Sequence, residues 1–511
     1  MNRGVRRIAR IAAIALLAVE FAYLVAGNLA LSTGLLRGVL NEYPDSMLVT
    51  YRRAYTLLPG RVHVSDLSMR MQDQNVQFHL TVTRVRVDVQ LLALLRKKFH
   101  GDRVRCEGVS FRFVHRVHDP AGMEARLEAY PPIPGLARPA LFQVPPPPQA
   151  TQAEIDALWT VRLDDVDASV RELWFLEHRW EGEGRATGRF ELSPMRRLQV
   201  GPAELVLDGG LLRAGPHVVS RNLHLRVGTT VESFDVQAFA GMQVFRPVSA
   251  TVQLEAEDFS PGLLALYLEG LTARGAGSLF ADVRVESGRL GSGSWVDLKM
   301  ESARAEVDGF AYDGSPRLSV SFEPAGSGEL AVPRIHAKVP GSLVVPLPPG
   351  GSARVDLQGL VADGTLASAD VAQGITLEKL DARLAEARVL DARGIRSAVM
   401  GSMPLSLVSP LLLGDGPLVA SAAVDGRRAV TIAVLQSARL GLAEIRGAAR
   451  TSSRGWDGAL AGHVGFLPIG VRLRSGKTEV ALFVSDAWLD RELAAVGIRF
   501  ERSPFVAAAG H

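Results

Sequence analysis

The chain carries a single cysteine, Cys106, in 511 residues. No intrachain disulfide can form, so the fold must stand on burial and backbone hydrogen bonding. Aromatic residues are scarce, at 6%, and charge of one sign is nowhere concentrated: 57 Lys and Arg against 54 Asp and Glu leave a net charge of +3. With no basic block to follow a phosphate backbone, nucleic acid is not expected as a partner.

Signatures of catalysis are also lacking. There is no G-x-S-x-G elbow, no Walker A loop and no H-E-x-x-H. Gly182, Gly184 and Gly188 have the wrong spacing for a dinucleotide turn and read as turn glycines. His115 and His118 follow Cys106 at a spacing that does not close a tetrahedral zinc site. Asp164/Asp165 and Glu181/Glu183 read as solvated strand residues, since alternate residues of a strand share a face. The expectation is a protein that is not an enzyme and has no cofactor, no metal and no catalytic residue.

What the chain does have is apolar content, 47% of its residues, and two patterns that order it. The first is an apolar run from Ile11 to Leu31, including Leu16, Leu17, Phe21, Leu24 and Leu29, behind Arg3, Arg6, Arg7 and Arg10. As a helix it covers about 31 Å, one hydrocarbon thickness. A cleaved signal peptide is the rival reading, but its apolar stretch runs to only about 7–15 residues. The arginines before the run predict an N-terminus in the cytoplasm and the bulk of the chain across the membrane. Glu20 falls near the middle of the run, where a charge costs about 2.5–3.5 kcal/mol unless it is protonated or faces a partner helix.

The second pattern is alternation with period two, which persists to the far end of the chain. Val76, Phe78, Leu80 and Val82 alternate with polar residues. Near Thr83 the phase shifts to Val85, Val87 and Val89, which a bulge or bend accommodates. Similar runs include Leu205/Leu207, Leu223/Leu225, Val252/Leu254, Val283/Val285, Val320/Phe322 and Val480/Leu482. One apolar and one solvated face is the mark of antiparallel sheet. Helical spacing is confined to Leu91–Phe99, Pro261–Glu269 behind Ser260, and Ser485–Val496. Proline-rich Tyr130–Gln149 cannot donate to a ladder and reads as a loop, and Val339–Ser352 is a weaker interruption. The predicted organisation is a cytoplasmic tip and transmembrane anchor over 1–32, a β-region over 33–130, the proline-rich loop at 131–150, and further β-regions over 151–340 and 341–511.

The anchor, the short amphipathic stretch Leu31–Leu40, "LLPGRVHVSDLSMRMQ", "NVQFHLTVTRVRVDVQLLALLRKKFHGDRVRCEGVSFRF" and "LQVGPAELVLDGGLLRAG" together resemble the AsmA-like family of Gram-negative envelope proteins, which includes TamB and its relatives. The likeness rests on the order of elements and is best over the first 115 residues or so. It implies a mostly β fold: a transmembrane helix, then an elongated, curled antiparallel sheet forming a groove, with a few short helices. It further implies an inner-membrane anchor, a periplasmic body, and phospholipid or another diacyl lipid as the bound partner between envelope membranes, with another envelope protein at the distal end. The groove lining would be Val76, Phe78, Leu80, Val82, Leu205, Leu207, Leu223, Leu225, Val252, Leu254, Val283, Val320 and Phe322, with Leu31–Leu40 as an entry lip at the membrane surface. Two other readings remain: a scaffold or assembly factor that pairs outer-membrane or secreted proteins at a sheet edge, and an ordinary sandwich whose apolar faces pack on each other.

Overall fold

A computed structural model describes residues 20–34, 37–38, 41, 44–45, 47–72, 76–117, 123–137, 158–193, 196–235, 243, 245–324, 331–347, 351–366, 377–389, 418–427, 430–440, 443–452, 455–464, 466–474 and 477–498. The protein is mostly β, as the alternation predicts, and its strands fall into two compact units.

The first described element of the first unit is a helix, α1, over residues 20–32. Its strands are β1 (Met47–Thr50), β2 (Arg53–Leu58), β3 (Arg61–Gln72), β4 (Val76–Val89) and β5 (Lys98–His115), then β6 (Thr160–Phe175), β7 (His178–Ser193), β8 (Arg197–Asp208), β9 (Leu211–Ala214), β10 (His217–Ser220), β11 (Leu223–Phe234) and β12 (Val248–Phe259). Strands β1 and β2 both pair with β3, and the ladder runs on through β4, β5, β6, β7, β8, β11 and β12.

Not every rung is antiparallel. Strands β5 and β6 pair in parallel, the single parallel strand pair among the described ladders, and residues 116–159 cross over between them. A parallel pair needs such a connection because both strands start at the same end. Part of the crossover is a short helix, α3, Glu124–Glu128, where Leu127, Tyr130 and Ile133 pack on Val114, which is fully buried. The helix α2 precedes β5; spacing predicts it over Leu91–Phe99, but it is one turn, Leu91–Leu94. It stops because Lys98 already lies in the ladder beside Thr160. The segment behind Ser260 is a 3₁₀ helix, Pro261–Leu266, rather than an α-helix to Glu269.

The parallel seam is dense in side-chain contacts. His100 Nε2 lies 2.8 Å from Asp164, Arg105 2.8 Å from Asp165, and the Gly108 amide donates to Ser169 Oγ at 2.9 Å. Farther along, Ser110 Oγ donates to Glu172, Arg112 is 3.2 Å from the same carboxylate, and the rings of Phe113 and Phe175 stack at 4.8 Å.

β13 (Thr272–Glu286) and β14 (Arg289–Leu290) lead on to the strands of the second unit. These are β15 (Trp295–Val307), β16 (Phe310–Gly314), β17 (Arg317–Pro324), β18 (Ala331–Lys338), β19 (Gly341–Leu347), β20 (Gly351–Leu366), β21 (Leu377–Val389), β22 (Leu418–Arg427), β23 (Val430–Leu440), β24 (Ala443–Ser452), β25 (Gly455–Val464), β26 (Leu467–Arg474) and β27 (Lys477–Leu482). From β20 to β27 each strand pairs antiparallel with the next. Helix α4, Asp486–Ala495, fills the region predicted helical behind Ser485. It buries Leu489 and Leu493 against Ala448, Ala459 and Ala461, whose small side chains let a helix sit close on the sheet.

Candidate functional site

In the first unit, strand register gathers the alternating apolar residues into long rows. One row runs Val64, Val85, Cys106, Ala168, Ala186, Leu205, Val227, Val252 across eight neighbouring strands. At about 4.8 Å per strand it extends roughly 34 Å. Beside it runs Met69, Leu80, Phe111, Leu173, Trp180, Leu212, and farther on Leu207, Leu225, Leu254. The alternation shifts phase between Val82 and Val85 as expected. Opposite Thr83 stand Asp66 at φ 51° and Gly108 at φ 67°, and these left-handed residues re-aim the following side chains so that the apolar set stays on one face.

Aromatic rings concentrate in and beside the second of these rows. Phe78 and Phe111 are 5.9 Å apart, Phe111 and Phe113 6.4 Å, and Phe113 stacks on Phe175. Gly182, Gly184 and Gly188 are not turn residues: all lie within β7, where a Cβ at 182 or 184 would stand 2.8 Å from the Trp180 ring or from Leu207. The glycines make room for the indole, whose Nε1 donates to the Gly209 carbonyl at 2.9 Å.

The face is not sealed. Val82, Leu207 and Leu223 are buried, but Phe78, Leu80, Phe111, Leu173, Leu205, Leu225, Val252 and Leu254 keep intermediate exposure and Phe175 is 53% exposed. Two sheets packed face to face would bury such positions together. Val76 and Val283 are also half-buried, as is Val320 on β17 of the second unit, where Phe322 is buried.

Cys106 sits in the longest row with its thiol pushed up to about 11, first by burial and then by the Asp167 charge. A thiol that is protonated at neutral pH is a poor nucleophile. Maleimide at pH 7 is therefore expected to label Cys106 slowly in the native protein and readily after denaturation, as mass spectrometry of timed samples will show. Rapid native labelling would contradict this placement.

The opposite face is charged. Register aligns Arg70, His79, Arg112, Trp174, Arg179 and Arg213, with the guanidinium groups of Arg112 and Arg179 at 5.6 and 4.7 Å from the Trp174 ring. Burial and the charges of Arg112 and Arg70 hold His79 below its ordinary pKa. Buried Glu172 receives Ser110, Arg112 and Arg179; burial pushes its carboxyl up, but these partners outweigh it and the net shift is downward. Glu177, with a side chain only 1% exposed, accepts from Arg126 at 3.0 Å and from Tyr267 Oη at 2.7 Å. It too lies below its ordinary value despite burial, and Tyr267 is pushed up. The Glu177 group ties the crossover helix α3 to the sheet, and neither it nor the row Phe111, Leu173, Trp180 was singled out by the sequence reading. "VSFRF" at 109–113 carried the signal for Phe111 and Phe113, while Glu177 had none.

No family model matches the chain, and no curated protein matches it. Among the described residues no group of three or more His, Cys, Asp or Glu is placed to hold a metal ion. His115 is an exposed residue at the end of β5, and His118 lies outside the described residues. Asp164 and Asp165 are partners of the parallel seam, and Glu181 is held 2.5 Å from Arg179 on the charged face.

At the N-terminus, Ile11, Leu16 and Leu17 lie outside the described residues, while Glu20, Phe21, Leu24 and Leu29 fall on α1. Among the described residues no helix is long and apolar enough to cross a membrane. Leu31, expected at a membrane surface, is instead buried on the sheet against Tyr51 and Ala54, and its carbonyl accepts from Tyr51 Oη at 2.8 Å.

Proposed function

We propose that the protein holds a diacyl lipid on the apolar sheet face of its first unit, and that it does so from an anchor in the inner membrane of a Gram-negative envelope. The observation that carries this reading is the eight-strand apolar row flanked by half-exposed aromatic residues. An acyl chain moved through water exposes methylenes at about 0.8 kcal/mol each, so about sixteen of them cost roughly 13 kcal/mol. An apolar lane some 34 Å long removes most of that penalty by offering contact at every step. The charged opposite face keeps the sheet soluble. In this reading the sheet is curled into a groove, the body is periplasmic, and lipid moves by diffusion toward the other membrane with a further envelope protein receiving it.

A second reading is supported by β27, whose one ladder partner among the described strands is β26, and beside which Leu482 and Phe483 are 53% and 77% exposed. That edge suits strand addition by a client protein. Photo-crosslinking in intact cells separates the two. Probes at Phe78, Leu205 and Val252 are expected to yield lipid adducts, and probes at His79 and Glu204 on the polar side none. Protein adducts at β27, with no lipid at any position, would replace the lipid reading by the scaffold reading.

A further inference from the structure

We infer that one end of the first unit is built to lie in the interface of an anionic bilayer, with leucines of two turns immersed and a run of three cations at the headgroups. This rests on the inner-membrane reading above, though not on lipid binding by the sheet face.

The direction of α1 identifies the end. Leu31 meets Tyr51, Asn28 exchanges hydrogen bonds with the Thr56 backbone at 2.9 Å in both directions, and Tyr23 Oη accepts from the Gly60 amide at 2.9 Å. The helix therefore lies antiparallel along β2, with its N-terminal end at the β2–β3 turn. Ahead of it in sequence stands Ile11–Val19, an uncharged apolar run.

That same end presents exposed apolar side chains among the described residues. Leu57 and Leu58, in the β2–β3 hairpin, are 62% and 47% exposed. The Val89 amide donates to the Gly60 carbonyl at 2.7 Å, which brings α2 beside the hairpin. On and just after α2, Leu92 and Leu95 are 80% and 83% exposed, and the helix buries no residue at all. The Thr160 amide donates to the Lys97 carbonyl at 3.0 Å, placing half-exposed Trp159 next to α2. An amphipathic turn that buries nothing in its own protein is stable when a second apolar phase receives it.

Charge selects the occupant. Arg96, Lys97 and Lys98 are exposed and follow the leucines directly, and no acidic residue occurs between Gln90 and His100. Leucines at the tip with cations just behind them and a tryptophan at the margin match the depth profile of an anionic bilayer, where tails lie below phosphates.

The test uses the full chain reconstituted in vesicles, with Cys106→Ser as background and an environment-sensitive fluorophore on Leu58→Cys, Leu92→Cys or Leu264→Cys. Leu264, 43% exposed in the 3₁₀ helix after β12, lies at the other end of the strands. In phosphatidylglycerol-containing vesicles, probes at 58 and 92 are expected to be quenched several-fold more by spin-labelled lipid than by iodide, and the probe at 264 the reverse. Arg96→Glu with Lys98→Glu should release the probe at 92 to iodide, as should vesicles of phosphatidylcholine alone. Iodide access at 58 and 92 equal to that at 264, in protein that still floats with the vesicles, overturns the interfacial end while leaving the anchor intact. Protein that does not float overturns both, and lipid adducts on the sheet face are scored separately.

Discussion

Glu177→Ala is expected to lower the unfolding free energy by about 3–5 kcal/mol, because it strips one partner from a buried ion pair and leaves the other without its counter-charge. The carboxylate is almost completely enclosed and holds both Arg126 and Tyr267, with Arg126 also 4.9 Å from the Tyr267 ring. Urea denaturation followed by tryptophan fluorescence reads the loss. Glu177→Gln, which keeps an acceptor for Tyr267 but not the charge, should fall between the variant and the parent. Acid reveals what the charge contributes. Glu177 and Glu172 lie below the ordinary glutamate value of 4.5 in the folded state, so their contribution is fully present above that value and is lost as pH falls through the lower folded value. The gap between parent and Glu177→Ala should therefore narrow as pH drops below about 4.5. A gap that stays constant to lower pH would show that the carboxylate acts through shape and not charge.

Phe111→Arg should abolish lipid adducts at neighbouring Phe78 and Leu80 while leaving the protein folded. The ring touches Phe78 and Phe113, and losing those contacts costs about 1–2 kcal/mol. A charge placed on a lipid-bearing β-surface costs the bound state about 2–4 kcal/mol, and at a factor of ten per 1.4 kcal/mol occupancy falls roughly 30-fold or more. Adduct yield and the denaturation midpoint, measured on the same preparation, separate the outcomes. Unfolding of the variant would mean that the face is a packed core, and unchanged adducts would mean that lipid lies elsewhere.

The sequence made the strands legible because a half-buried strand writes its two faces into alternate residues, as in Val76, Phe78, Leu80 and Val82. It also announced α4, through the helical apolar spacing over Ser485–Val496. It overstated α2, because the apolar spacing through Leu91–Phe99 does not disclose that Lys98 is already claimed by the ladder. The parallel direction of β6 was invisible: a proline-rich stretch reads as a loop whether the next strand returns beside its predecessor or restarts from the same end. The Glu177 group joins residues as far apart in sequence as Arg126 and Tyr267, and no local pattern can bring those together.

The pairing of β5 with β6 has a kinetic side. Each tight hairpin in the first unit fixes its own register, because a short turn allows one alignment. No turn aligns β5 with β6, and closing residues 116–159 costs roughly 2 kcal/mol more entropy than closing a four-residue loop. The correct offset must be chosen by the side chains themselves: His100 finding Asp164, Arg105 finding Asp165, Ser110 and Arg112 finding Glu172, and the stacked pair Phe113 and Phe175. A slip of one residue would break every one of these matches and turn the apolar rows of β6 to the wrong side. The seam is thus a place in the first unit where register rests on side-chain complementarity and not on a turn.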